Sequence, residues 1–233
     1  MRFSASKAFP AAAILGVLVF AGCTSSEADS GDPPTPTPEL VTERIAQAPF
    51  EGLPVEGTFV GDPEAPLLIE MYEDFGCPHC LEFTSDMEPH LLENYVEPGH
   101  VRLQYRFFPL RQVTANAAIG AWCAAQQEQF WPYHEELFIA QANANEGTGP
   151  DLAEAFDPAA LGALAEELGL DTEAFDACTT SEEVIDVITS DLRTATELDL
   201  PGTPSFVING EVLEDVPETR DEWTELLDEL LAE

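Results

Sequence analysis

The chain has 233 residues, with 45 acidic against 8 basic side chains and a net charge of −37. A surface of that sign repels phosphate backbones and anionic headgroups, so composition argues against a nucleic-acid partner. The acidic residues are spread along the whole chain, as a solvated coat suited to high salt would be, and no Asp-x-Asp-x-Asp-Gly loop marks a calcium site.

Residues 1–22 read as an export signal. Arg2 and Lys7 form a short positive start, and "AAAILGVLVF" (11–20) is apolar but too short to span a bilayer permanently. "FAGC" places Ala21 and Gly22 before Cys23 and resembles a bacterial lipobox, with Phe20 where that pattern usually has Leu. Cys23 is then the lipidated N-terminus after cleavage. The Pro-rich polar stretch that follows, "TSSEADSGDPPTPTPE" (24–39), has no apolar periodicity, and residues 23–56 read as a lipidated start and disordered tether. Export allows disulfides to persist, and setting Cys23 aside leaves an even set of four: Cys77, Cys80, Cys123 and Cys178.

Folded character begins near residue 57. "APLLIEMY" (65–72) predicts a strand entered through the turn signal "GDPEAP". Directly after it comes Cys77-Pro78-His79-Cys80, with Pro78 suited to the first turn of a helix. Cys80, Phe83, Met87 and Leu91 recur on one helical face, and Pro89 predicts a kink. "VRLQYRFFPL" (101–110) alternates Val101, Leu103, Tyr105 and Phe107 as a second strand. Residues 113–199 read as helical, with breaks at 143–151, at Asp157-Pro158 and at 169–173. "GTPSFVING" (202–210) returns to strand and turns through Asn209-Gly210 as a hairpin. Residues 218–233 predict a closing amphipathic helix with Trp223, Leu226, Leu227 and Leu230 inward.

A Cys-x-x-Cys at a strand-to-helix junction has a mechanical meaning. Unpaired N–H groups and the positive end of the helix dipole lower the pKa of the first thiol, so Cys77 is the attacked and attacking sulfur. Cys80, one turn along on the inward stripe, resolves. His79 adds a dipole, or a charge when protonated, that favours the Cys77 thiolate. A stabilised thiolate makes the disulfide a stronger oxidant.

"YEDFGCPHC", "AWCAAQQEQFWPYHEELF" and "GTPSFVING" together resemble the DsbA-type thiol:disulfide oxidoreductases of the thioredoxin-fold family, over about residues 57–232. The resemblance implies an α/β thioredoxin fold with an all-helical insertion between the two halves of the sheet: 57–112, the insertion 113–199, then 200–233. It implies Cys77 as nucleophile, Cys80 as resolving thiol, Pro204 as a cis-proline facing their disulfide, and Thr203 presenting backbone groups to an extended substrate. It also implies a quinone-linked membrane partner and cysteine-containing exported proteins as substrates, with no cofactor. Many relatives carry a buried acid six residues before the first cysteine. Here that position is Met71, and neither Glu70 nor Glu73 is assignable to the role from sequence.

Cys77 and Cys80 as a structural staple gain little from so short a loop. Half a metal site requires further ligands, and His90, His100 and His134 match no ligand spacing. Cys123 and Cys178, 55 positions apart, favour a structural disulfide over a redox relay. "FWPYH" (130–134), including a satisfied interior His134, reads as core packing rather than a ligand cage. Extracytoplasmic reductase or isomerase duty, or a metal- or peptide-binding lipoprotein on the same scaffold, are the alternatives to a membrane-anchored dithiol oxidase outside the cytoplasm.

Overall fold

A computed structural model describes residues 38–46, 50 and 52–232. The export signal and Cys23 lie outside the described residues. The described chain falls in one compact unit, Pro36–Glu233. It opens with α1 (Pro38–Ile45), which occupies part of the stretch expected as tether; Ile45 is fully buried, so this segment is held by the core and not extended.

The strands are β1 (Val55–Glu56), β2 (Phe59–Val60), β3 (Leu67–Glu73), β4 (Val101–Phe107), β5 (Ser205–Ile208) and β6 (Glu211–Val212). They form one sheet in the order β1-β2-β4-β3-β5-β6, with β3 and β4 parallel and every other pairing antiparallel. β4 buries alternate residues, as its apolar period of two demands. The β5–β6 hairpin turns at Asn209 and Gly210, both at positive φ, the geometry that favours Asn-Gly in a two-residue turn. The Asn209 side chain also accepts from Leu68 N–H and donates to the Pro66 carbonyl, locking the hairpin to the start of β3.

The helix after β3 is not uniform. α2 (Pro78–Glu82) runs into a π-helical turn (Phe83–Met87), then α3 (Glu88–Leu91) and a second π turn (Leu92–Val96). Pro89 has no N–H to give, and its ring would meet the carbonyl four residues back, so the preceding turn widens and Glu88 N–H bonds to Phe83 O. The extra residue shifts the helical phase. Cys80, Phe83 and Leu91 face the core as expected, but Glu88 is buried beside them and Met87 is only partly covered.

Between β4 and β5 lie α4 (Gln112–Ala125), α5 (Phe130–Glu146), α6 (Leu152–Ala155), α7 (Pro158–Glu167), α8 (Thr172–Thr179) and α9 (Glu182–Glu197). Side chains of Asp151, Asp157, Asp171 and Ser181 cap the last four at their N-termini, so part of the acidic composition is spent on orphan helix N–H groups. Cys123 on α4 and Cys178 on α8 form a disulfide. Closing a loop of that length restricts the unfolded chain by about 4 kcal/mol. The buried carboxylate of Asp191 on α9 accepts from Phe107 N–H and pairs with Arg106, pinning the insertion to β4. α10 (Arg220–Leu231) closes the fold behind a Thr219–Glu222 capping box, with Trp223 and Leu227 buried.

Candidate active site

β3 delivers the chain into Glu73, Asp74, Phe75, Gly76 and Cys77, and three local devices shape that exit. Asp74 is buried. One of its oxygens accepts from Gly76 N–H at 2.7 Å, and the other accepts from Leu110 N–H at 2.6 Å and the Thr114 hydroxyl at 3.0 Å. Its backbone carbonyl accepts from Cys77 N–H at 2.9 Å. The Arg111 guanidinium donates to the Gly76 carbonyl at 2.8 Å. A Cβ at Gly76 would run into the Arg111 guanidinium and the Thr114 methyl, so a larger residue there would displace this clamp. None of Asp74, Arg111 or Thr114 was singled out from sequence. Each is an ordinary polar residue until the start of α4 is placed beside the end of β3.

Cys77 is the N-cap of α2 and Cys80 lies one turn in, fully buried; both are free thiols. Cys77 Sγ lies 3.1 Å from the Thr203 carbonyl, 126 positions away, to which its thiol donates. The Thr203–Pro204 bond is cis. The Cys77 pKa is lowered to about 5. The largest cause is the Cys80 thiol donating to the Cys77 sulfur; the Thr203 side chain and the backbone N–H groups of Cys80 and His79 add to it, and partial burial opposes. The helix end therefore contributes through two named N–H groups, behind a side-chain donor that its dipole alone did not predict.

His79 reaches Cys77 through its backbone only. Its ring is 77% exposed and pairs at 3.2 Å with Glu82 on the outer face. Cys80 has the opposite environment: burial, its bond to Cys77 and the nearby Glu73 and Cys77 charges all push its thiol well up. Glu73, 1% exposed, is the acid next to Cys80. Its carboxyl makes no regular hydrogen bond among the described residues, and burial first, then the Cys77 charge, raise its pKa. Glu73 is thus a buried acid two residues after Met71, which is itself core.

Other residues named from sequence lie apart from the thiols. Cys123 and Cys178 pair within the insertion. His134 is buried among Phe75, Tyr105, Phe130, Trp131 and Phe138 rings, and burial lowers its pKa to about 3. It is core as expected, but neither ring nitrogen has a hydrogen-bond partner among the described residues, so it is not a satisfied histidine. No cluster of three or more His, Cys, Asp or Glu fit to hold a metal occurs among the described residues.

A thioredoxin-type sheet carrying a low-pKa thiol, a buried resolving thiol and a cis-proline loop against them, with a helical insertion, defines the DsbA type of thiol:disulfide oxidoreductase. The chain belongs to the thioredoxin family: the family model described as "Thioredoxin" matches residues 54–229. It is 28% identical over 156 residues to the "Probable disulfide bond formation protein D" of Bacillus anthracis, covering 65% of this chain and 69% of that protein. The crystal structure of Wolbachia pipientis alpha-DsbA1 superposes with a TM-score of 0.63 at 26% identity, over 78% of this chain and 94% of that one. A "Na(+)/H(+) antiporter NhaA 3" of Salinispora tropica is 32% identical over 153 residues, 64% of this chain but only 21% of the antiporter. The chain thus spans about a fifth of that relative.

Proposed function

We propose that this protein is an extracytoplasmic, membrane-anchored dithiol oxidase that introduces disulfides into exported cysteine-containing proteins. The observation that carries the reading is the split between the two thiols: a Cys77 pKa near 5 beside a Cys80 pKa raised well above the ordinary value. Reduction of the disulfide yields a thiolate at Cys77 that is already stabilised, so the disulfide gives up its sulfurs readily. A substrate thiolate attacks Cys77 Sγ and expels Cys80. A second substrate thiolate attacks the substrate sulfur of that mixed disulfide, and Cys77 leaves as its stable anion. In this reading Thr203, whose carbonyl lies 3.1 Å from Cys77 Sγ, contacts an extended substrate. A quinone-linked membrane protein is the reoxidant this reading requires.

Equilibration of the Cys77–Cys80 pair with glutathione tests the direction. We expect a midpoint well above the roughly −270 mV of a reducing thioredoxin and toward the −120 mV of a strong oxidant. A value at or below about −270 mV would assign the protein to reduction instead.

The lipobox-like "FAGC" supports anchoring through Cys23. Cys23→Ala is expected to move the protein from the membrane to the soluble fraction while its thiol oxidation persists. Membrane retention of that variant would place the anchor elsewhere.

A further inference from the structure

Of the arginines among the described residues, Arg44, Arg102, Arg106, Arg193 and Arg220 each lie within 4.0 Å of a carboxylate. Arg111 is the exception. Its guanidinium donates to the Gly76 carbonyl at 2.8 Å and makes no ion pair among the described residues. The Asp74 carboxylate serves the same loop, but its oxygens accept from Gly76 N–H, Leu110 N–H and the Thr114 hydroxyl. In a chain with 45 acidic side chains, a cation left without one stands apart from its surroundings. A single carbonyl acceptor also leaves most of the guanidinium N–H donors open to a further partner.

Arg111 stands next to the redox centre. Three hydrogen bonds tie the segment after β4 to the end of β3 and the turn that follows it. Phe108 N–H donates to the Glu73 carbonyl, Leu110 N–H to the Asp74 carboxylate, and Arg111 to the Gly76 carbonyl. A Cβ at Gly76 would meet the Arg111 guanidinium, so the cation lies against the backbone immediately before Cys77. By covalent dimensions it is within about three extended residues of the Cys77 sulfur. Arg111 is exposed, and Leu110 beside it is 56% exposed. The loop thus holds a solvent-facing cation and a solvent-facing apolar side chain beside the reactive thiol.

We propose that Arg111 is a specificity-determining residue, whose open N–H donors receive an aspartate or glutamate carboxylate within a few residues of the reacting cysteine of an extended substrate. This rests on the dithiol-oxidase reading and names the class of substrate that it favours. The acidic coat opposes such a substrate at long range. Salt screens charges more than about 8 Å apart at physiological ionic strength, and it weakens a contact pair much less. The guanidinium fork matches a carboxylate in shape as well as charge. The contact at Arg111 therefore outweighs the distant coat. The chain itself contains a cysteine of this kind, since Asp176 stands two positions before Cys178.

The test uses peptides with blocked ends: residues 174–180 of this chain, AFDACTT, and the same peptide carrying Asp176→Asn or Asp176→Lys. Each in excess opens the Cys77–Cys80 disulfide of the oxidised full chain at about 0.15 M salt, and release of the Cys80 thiol is read by quench and alkylation. Each rate is divided by the same peptide's rate with the uncharged disulfide dithiodipyridine, which removes differences in thiol reactivity. The parent is expected to react about threefold faster with the Asp peptide than with the Asn peptide, the worth of an exposed ion pair, and slowest with the Lys peptide. In Arg111→Gln the Asp-to-Asn ratio is expected to fall to one or below. The ratio is taken within one variant, so a general slowing from loss of the Gly76 bond does not move it. Should Arg111→Gln not fold, Arg111→Lys is expected to show a smaller ratio than the parent, because an ammonium has the charge without the fork. A parent ratio of one or below, a parent that prefers the Lys peptide, or an undiminished ratio in the variant that folds would overturn the proposal. A parent disulfide that none of the peptides opens would instead overturn the oxidase reading.

Discussion

Cys77→Ser is expected to reduce thiol–disulfide exchange to the uncatalysed background, whereas Cys80→Ser is expected to accumulate mixed disulfides with thiol substrates. The asymmetry follows from exposure and charge. Only Cys77 reaches solvent, and only its thiolate is stabilised. Removing Cys80 leaves a competent nucleophile with nothing to resolve its adducts. The identity of the replacement also matters, because the largest stabilisation of the Cys77 thiolate is a hydrogen bond from the Cys80 side chain. Ser keeps a donor there and Ala does not. Cys77 alkylation is therefore expected to titrate near pH 5 in Cys80→Ser and about one unit or more higher in Cys80→Ala. Equal titration in the two variants would show that the backbone N–H groups and Thr203 carry the shift without Cys80.

The same shift gives the reduced protein a pH-dependent stability that the oxidised protein lacks. The folded pKa of Cys77 lies below its unfolded value, so the contribution is complete above about pH 8.5 and is lost as pH falls through about 5. Cys77 is only half-buried, and solvent screening reduces the full linkage value by roughly half. The stability of the reduced form minus that of the oxidised form should then fall by about 2 kcal/mol between pH 8 and pH 5. Denaturant midpoints of the two forms across that range measure it. A difference independent of pH would mean that Cys77 is not ionised in the folded protein.

Asp74→Ala is expected to cost about 3–5 kcal/mol and to lower the thermal midpoint by about 10 °C. The carboxylate is the acceptor for Gly76 N–H, Leu110 N–H and the Thr114 hydroxyl, and removing it leaves buried donors without their partner. Cys77 reactivity should suffer too, since the Gly76 N–H just before Cys77 is held by this side chain. Asp74→Asn keeps one oxygen but turns an NH2 group toward a donor, so its loss should fall between those of the parent and the Ala variant. Thermal melts together with alkylation rates of Cys77 decide it. An Asp74→Ala protein melting within a degree or two of the parent would mean that the loop around Gly76 is held by Arg111 and packing alone.

The sequence by itself determined what depends on neighbours a few positions away. Alternation from Val101 to Phe107 made a half-buried strand, since side chains on a pleat change face at every residue. Asn209-Gly210 made the hairpin because both positions take positive φ cheaply. Cys77-Pro78-His79-Cys80 after an apolar run placed two thiols at a helix start, and an aspartate or serine before each of the last four insertion helices supplies an acceptor for orphan N–H groups. Only the tertiary structure decided which groups meet those thiols. Thr203 lies against Cys77 because β5 pairs with β3, a register between segments more than 130 positions apart. Asp74 became a hub because α4 begins beside the end of β3. Of the two acids the sequence left open, Glu73 is the one the structure buries, at the end of β3 beside Cys80. Glu88 was hidden altogether: a period of 3.6 points Met87 inward, and a π turn imposed by Pro89 turns Glu88 inward instead. Periodicity reports the face a residue takes in a regular element. It carries no information about an inserted residue, or about which distant surface that face is packed against.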